Sequence, residues 1–136
     1  MDHLTVRDYL LSKPEAWEDF PFYPDVAVMK VKNKMFATLS PANTKEIEER
    51  GNHYRMNLKC DPHEAIQLRD VFDSVLAGYH MNKKHWNTVI LNGEVPMGEL
   101  ERMIDNSYAL VLNSMTKAEK RSLETAYSEA ELYGKN

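Results

Sequence analysis

The sequence predicts an α+β domain, an antiparallel β-sheet with helices packed on one face, in the order α-ββ-β-α-ββ-α-α. Three observations predict it. Residues 54–60 alternate apolar and polar side chains, the signature of a strand with one buried and one solvated face. Apolar residues elsewhere recur at helical spacing behind capping residues. Short polar turns separate β-rich runs. The 136 residues form a single domain, 1–136, with no internal repeat or low-complexity tract.

The first helix is expected over about 4–12. Thr5 and Asp8 have capping-box spacing, Val6, Tyr9 and Leu10 share a face, and Pro14 ends it. The segment Trp17 to Pro24 holds two prolines, which forbid a central strand, so its aromatics are expected to cap the end of a core. Val26–Val31 and Lys34–Leu39 read as strands joined by a tight turn at Lys32-Asn33, with Asn33 supplying a positive φ. Pro41 to Asn43 reads as a loop and Glu46 to Asn52 as a charged connection. Tyr54–Cys60 is the clearest strand, with Arg55, Asn57 and Lys59 on its polar face. Asp61, Pro62 and Glu64 open a helix with an apolar stripe of Ala65, Leu68, Phe72 and Val75, ended by Ala77-Gly78. Residues 79–82 and 86–91 read as a second hairpin with Asn82-Lys83-Lys84-His85 at its tip, followed by a turn at Asn92-Gly93. A long helix carries Leu100, Met103, Ile104, Ser107, Val111 and Met115 on one side. Thr116 and Glu119 open the last helix, with Leu123, Ala126, Tyr127 and Ala130 facing inward.

Composition excludes more than it names. Hydrophobic residues make up 43% and charged residues 28%, a globular balance. The single cysteine, Cys60, rules out an internal disulfide and fits a reducing compartment. No apolar run reaches the length of a membrane helix and no secretory leader is visible, so a cytoplasmic location without membrane association is expected. The net charge of −4 is unlike that of a general nucleic-acid binder. Its distribution is uneven, however. Residues 26–45 carry Lys30, Lys32, Lys34 and Lys45 and no acid, and residues 78–88 carry Lys83 and Lys84 beside two histidines. These basic blocks fall on predicted strands and hairpin loops, whereas the acidic blocks fall on helices. The segregation gives one basic face on an acidic molecule or, alternatively, lysines that keep strand edges soluble.

Catalytic signatures are absent. No nucleophile elbow, phosphate-cradling loop or dinucleotide fingerprint occurs. Glu18-Asp19 and Glu48-Glu49 sit in solvated charge runs. Cys60 and His63 are spaced C-x-x-H, but the four ligands of a structural zinc site are not assembled. The expectation is therefore no enzyme, no cofactor and no metal. The densest polar-aromatic segment is 78–88, which holds lysines, histidines, asparagines, Tyr79 and Trp86 and no acid. Such a mixture can meet phosphates through Lys and bases through Asn, His and aromatics. It can equally build a structural corner, with Tyr79 and Trp86 inward and Asn and His on turn carbonyls.

These residues carry a resemblance. Lys13-Pro14-Glu15-Ala16-Trp17 with Asp19-Phe20-Pro21-Phe22, Met29-Lys30-Val31, Lys34-Met35-Phe36-Ala37, Asn57 to Pro62, Leu68-Arg69, Gly78 to Val89 and Asp105-Asn106-Ser107-Tyr108 together resemble the MmcQ/YjbR family, over nearly the whole chain. The resemblance implies a CyaY- or frataxin-like fold and DNA binding through a double wing of two hairpins. In this sequence the wings are the hairpins at Lys32-Asn33 and at Asn82-Lys83-Lys84-His85. The implied partner is double-stranded DNA, and a monomer is expected. Lys30, Lys32, Lys34, Arg55 and Lys59 would meet phosphates, and Asn82, Lys83, Lys84 and His85 would form the second wing, braced by Trp86. A competing reading is a non-enzymatic protein- or small-ligand-binding module. Its groove would be lined by Trp17, Phe20, Phe22, Tyr23, Tyr79 and Trp86, with His80 and Asn82 as polar anchors.

Overall fold

The computed structural model describes residues 2–78 and 81–134. Tyr79 and His80, proposed above for the groove, lie outside the described residues. The chain runs α1 (His3–Leu11), β1 (Ala16–Asp19), β2 (Ala27–Val31), β3 (Lys34–Ser40), α2 (Thr44–Arg50), β4 (Arg55–Lys59), α3 (Pro62–Val71), β5 (Val75–Ala77), β6 (Trp86–Ile90), α4 (Met97–Asn113), α5 (Lys117–Ala126) and α6 (Glu129–Tyr133). The strands form one six-stranded antiparallel sheet in the order β1-β2-β3-β4-β6-β5. This is the α+β class that the patterning predicts.

The core lies between the sheet and α4. Met29, Val31, Ala37, Leu39, Met56, Leu58 and Val89 project from the strands towards Leu100, Met103, Ile104, Tyr108 and Val111 of α4. Phe36 meets Tyr108 edge-on with ring centroids 5.3 Å apart. Phe36 is the extra residue of a β-bulge. The β2–β3 register slips between Met29 and Lys30, so Met29 faces Ala37 while Lys30 faces Met35. Ser107 of α4 sits where the bulge parts β3 from β4. Its hydroxyl donates to the Phe36 carbonyl (2.6 Å) and accepts from the Lys59 amide (2.9 Å), bridging two main-chain groups the ladder leaves unpaired.

The N-terminal segment is clasped to α4. Asp105 of α4 accepts from Lys13 Nζ (2.8 Å) and from the Tyr9 hydroxyl (2.7 Å), and the Tyr108 hydroxyl donates to the Pro14 carbonyl (2.6 Å). Lys13 is buried, with Nζ over the rings of Tyr9 and Tyr108. Burial, followed by the Asp105 hydrogen bond, raises the Tyr9 phenol, and burial raises that of Tyr108.

Several elements depart from expectation. Trp17-Glu18-Asp19 belongs to β1, an edge strand, which tolerates the nearby prolines because only one side of it pairs. The connection after Asn43 is a helix, α2, closed by a capping box between Asn43 and Glu46. α1 is capped by Asp2, not Thr5. α3 stops at Val71, and Phe72 is extended, so Val75 belongs to β5 and not to the helix stripe. The second hairpin therefore pairs β5 with β6 across a longer loop. At the first hairpin the positive φ (53°) falls on Lys32 and not on Asn33. The C-terminal helix is split by Tyr127 and Ser128 into α5 and α6. Leu123 and Leu132 are buried, whereas Ala126 and Ala130 are exposed.

Candidate nucleic-acid interface

Strand direction brings the candidate residues together. Val31 pairs with Lys34 at the β2–β3 turn, and Lys59, at the end of β4, pairs with Trp86, at the start of β6. The β2–β3 turn, the end of β4 and the β5–β6 loop thus share one end of the sheet. The two hairpin loops are separated by three strand spacings, about 14 Å.

The lysines divide by their partners. Lys30 bonds Asp19 (2.8 Å) and lies over the Trp17 ring, 5.2 Å from its centre. The Lys30 hydrogen bond holds the Asp19 carboxyl below its ordinary range. Lys32 lies 3.7 Å from Glu15 and 3.4 Å from the Ser122 hydroxyl of α5. Arg55 departs from its predicted role. It is 5% exposed and packed beneath α2, with Nε 2.8 Å from Glu46, so its charge is already matched and shielded from solvent. By contrast, Lys34, Lys59, Lys83 and Lys84 have no acidic partner among the described residues. All four lie at the shared sheet end. They do not all lie on one face: Lys59 projects from the open side of the sheet, whereas Lys34 follows Val31 to the helix side.

The second loop is built as much as it is exposed. Asn82 caps a single turn: its side chain accepts from the Lys84 amide (2.9 Å), and its carbonyl accepts from the amides of His85 and Trp86. Asn82 thus shapes the turn that presents Lys83 and Lys84, and its own side chain stays exposed. Arg69 of α3, which the sequence reading did not place in the site, donates to the Lys83 carbonyl (2.7 Å) and to Asn87 Oδ1 (2.8 Å). Its fork ties the loop to the helix layer and leaves Lys83 and Lys84 exposed. Gly78 donates to the Trp86 carbonyl, and a Cβ at Gly78 would stand 2.8 Å from Trp86 Cβ, so only glycine fits. His85 is half-buried, and its carbonyl accepts from the Cys60 amide (2.7 Å).

Cys60 is buried, and burial pushes its thiol up to about 11, with Glu64 and Asp61 adding to the effect. Such a thiol is not an activated nucleophile. Among the described residues, no three His, Cys, Asp or Glu side chains converge as metal ligands. No described helix is long and apolar enough to cross a membrane. Trp17, Phe20, Phe22 and Tyr23 are exposed and Trp86 is half-buried. A shallow groove of about 450 Å³ is lined instead by α3 and α4, through Gln67, Leu68, Phe72 and Arg102 among others.

A six-stranded antiparallel sheet backed by helices, with two lysine-bearing hairpin loops at one end, defines a small α+β domain whose distinctive surface is a loop pair rather than a cleft. The chain belongs to the YjbR family, whose model matches residues 11–110. It is 32% identical over 119 residues to Uncharacterized protein YbdF of Escherichia coli O157:H7, covering 88% of this chain and 91% of that protein. It is 32% identical over 115 residues to Uncharacterized protein YjbR of Escherichia coli strain K12, covering 85% and 90%. Among solved structures, that of Deinococcus radiodurans protein DR2400, domain DUF419, superposes with a TM-score of 0.73 at 36% identity, covering 88% of this chain and 85% of that one.

Proposed function

We propose that this protein is a non-enzymatic, cytoplasmic DNA-binding domain that grips duplex DNA with the two hairpin loops. One observation carries the reading: Lys34, Lys59, Lys83 and Lys84, without acidic partners among the described residues, gather at the sheet end from which both loops project. A cation with no internal partner gives up no ion pair when it meets a phosphate. The loop spacing of about 14 Å is near the width of the major groove, about 12 Å, so two loops can address the phosphates on either side of it. The contacts are to backbone, which makes the binding tolerant of sequence. The acidic sum of charges sits on the helices and sets orientation, because it turns the opposite side of the molecule away from DNA.

Four phosphate contacts give a slope of log affinity against log salt of about −3.6. Affinity for a random duplex of about 20 base pairs then falls roughly 150-fold between 50 and 200 mM salt. Fluorescence anisotropy measures this directly. The Lys83→Glu/Lys84→Glu double variant abolishes binding at the lower salt. A flat salt response, or unchanged binding by the double variant, refutes the reading.

A further inference from the structure

The open side of the sheet carries a row of side chains at the same end. Trp17 of β1 faces Lys30 of β2, Lys30 faces Met35 of β3, and Lys59 of β4 faces Trp86 of β6. Cross-strand partners share a face, and this is the face opposite α1, α3 and α4, which α2 covers at its far end, over Arg55. Residues next to these in sequence confirm it. Glu18 turns to Arg7 of α1, Leu58 enters the core, and Asn87 donates to the Ala65 carbonyl of α3. Trp17, Lys30 and Met35 line one stretch of this face and Lys59 and Trp86 another, the β3–β4 ladder between them having ended at Ala37 and Leu58. These five side chains include no acid, and β1 and β6 stand four strand positions apart.

We propose that this row is a second binding site, a stacking platform for the unpaired bases of single-stranded DNA. It rests on the preceding reading only in using Lys59 as a phosphate contact. Three features point to it. First, Trp17 is 41% exposed although its Nε1 donates to the Lys32 carbonyl (2.7 Å) and Lys30 lies over its ring, so part of an aromatic surface is held in place and left wet beside a cation. A tethered indole loses little freedom when a base stacks on it. Second, Gly78 presses on Trp86 and fixes it at the far end of the row. Third, the charge between the tryptophans is positive: Lys59 lacks an acidic partner among the described residues, and Lys30 shares only Asp19. Aromatic faces interleaved with cations suit a strand whose bases stack while its phosphates run alongside.

The next row in from the loops sets selectivity. Asn57 donates to the Thr38 hydroxyl (2.9 Å) and accepts from the Thr88 hydroxyl. The amide is engaged at both its ends, so it does not offer a base edge a fixed pattern. The platform therefore takes bases by stacking, with little preference among sequences.

The protein supplies its own probe, because Trp17 and Trp86 are its only tryptophans and both lie in the row. Titration with a twelve-residue deoxythymidine oligonucleotide quenches the intrinsic fluorescence, and salt weakens the binding. Trp17→Leu, at an exposed edge position, leaves the fold intact by circular dichroism. It lowers affinity for the oligonucleotide about 10-fold or more, in line with one lost stack, and leaves duplex affinity within twofold. Trp86→Leu is the second variant, read in the same two assays. Duplex binding without oligonucleotide binding overturns this proposal and leaves the duplex reading standing. Oligonucleotide binding without duplex binding does the reverse. Oligonucleotide affinity unchanged in both tryptophan variants also overturns it, since stacking is then not the contact.

Discussion

Removing the Ser107 hydroxyl tests the reasoning about the divided sheet. By volume Ser107→Ala is mild, and helix propensity favours alanine by about 0.5 kcal/mol. The hydrogen bonds predict the opposite sign. One buried hydroxyl serves both the Phe36 carbonyl and the Lys59 amide. Without it two main-chain groups are left unpaired, at about 1–3 kcal/mol each. After subtracting the propensity gain, the variant is destabilised by about 1.5–5.5 kcal/mol, or about 5–25 °C in Tm for a domain of this length. Urea unfolding followed by circular dichroism measures it as a lower midpoint at unchanged slope. Ser114→Ala is the matched control: its hydroxyl donates to Val111 at an exposed helix end, and its removal costs under about 0.5 kcal/mol. A loss as small in Ser107→Ala as in the control would refute the bridging role.

Two other outcomes follow from particular contacts. Gly78→Ala drives a methyl to 2.8 Å from Trp86 Cβ and 2.9 Å from its carbonyl oxygen. The overpacking costs about 1–3 kcal/mol and shifts the tryptophan emission, both read in one fluorescence-monitored melt. Asp19→Asn frees Lys30 for phosphate and steepens the salt slope of duplex binding by about 0.9, checked by anisotropy. The Asp19 carboxyl is held below its ordinary 3.8 by Lys30, so its contribution to stability is present above that value and is lost as pH falls through the lower folded one. Asp19→Asn flattens the acid limb of a stability–pH curve, and an unchanged limb would show that the pair adds nothing.

The strands with a soaked face and a greasy face were legible because alternation is a direct consequence of pleat. β4 follows from it, whereas the β2–β3 hairpin was legible from β-rich runs on either side of the Lys32-Asn33 turn. The helix α2 was not legible from periodicity, since it buries no residue; its only signal was Asn43 followed three positions later by Glu46. β5 was absorbed into α3 because Val75 continues a helical spacing past a helix end that only the extended Phe72 marks. In the site, charge counting found both lysine loops, but it could not see pairing. Arg55 looks like Lys59 in an alternating strand, and only α2 folding over it, with Glu46 attached, separates the two. Arg69 was missed because it sits on a helix 14 residues before the carbonyl it holds.

The clasp between Asp105, Tyr9 and Lys13 has a consequence for synthesis. Its partners are 96 and 92 residues apart in sequence. A nine-residue helix is marginal in water by itself, so α1 has nothing to hold it when it leaves the ribosome. At about 5–20 residues per second, the nascent chain waits roughly 5–20 s for its latch to be made. The β1–β2 and β2–β3 pairs form locally in that interval, whereas α1 docks only when α4 arrives to close a loop of more than ninety residues. The residues of α1 are thus among the last of the domain to become native.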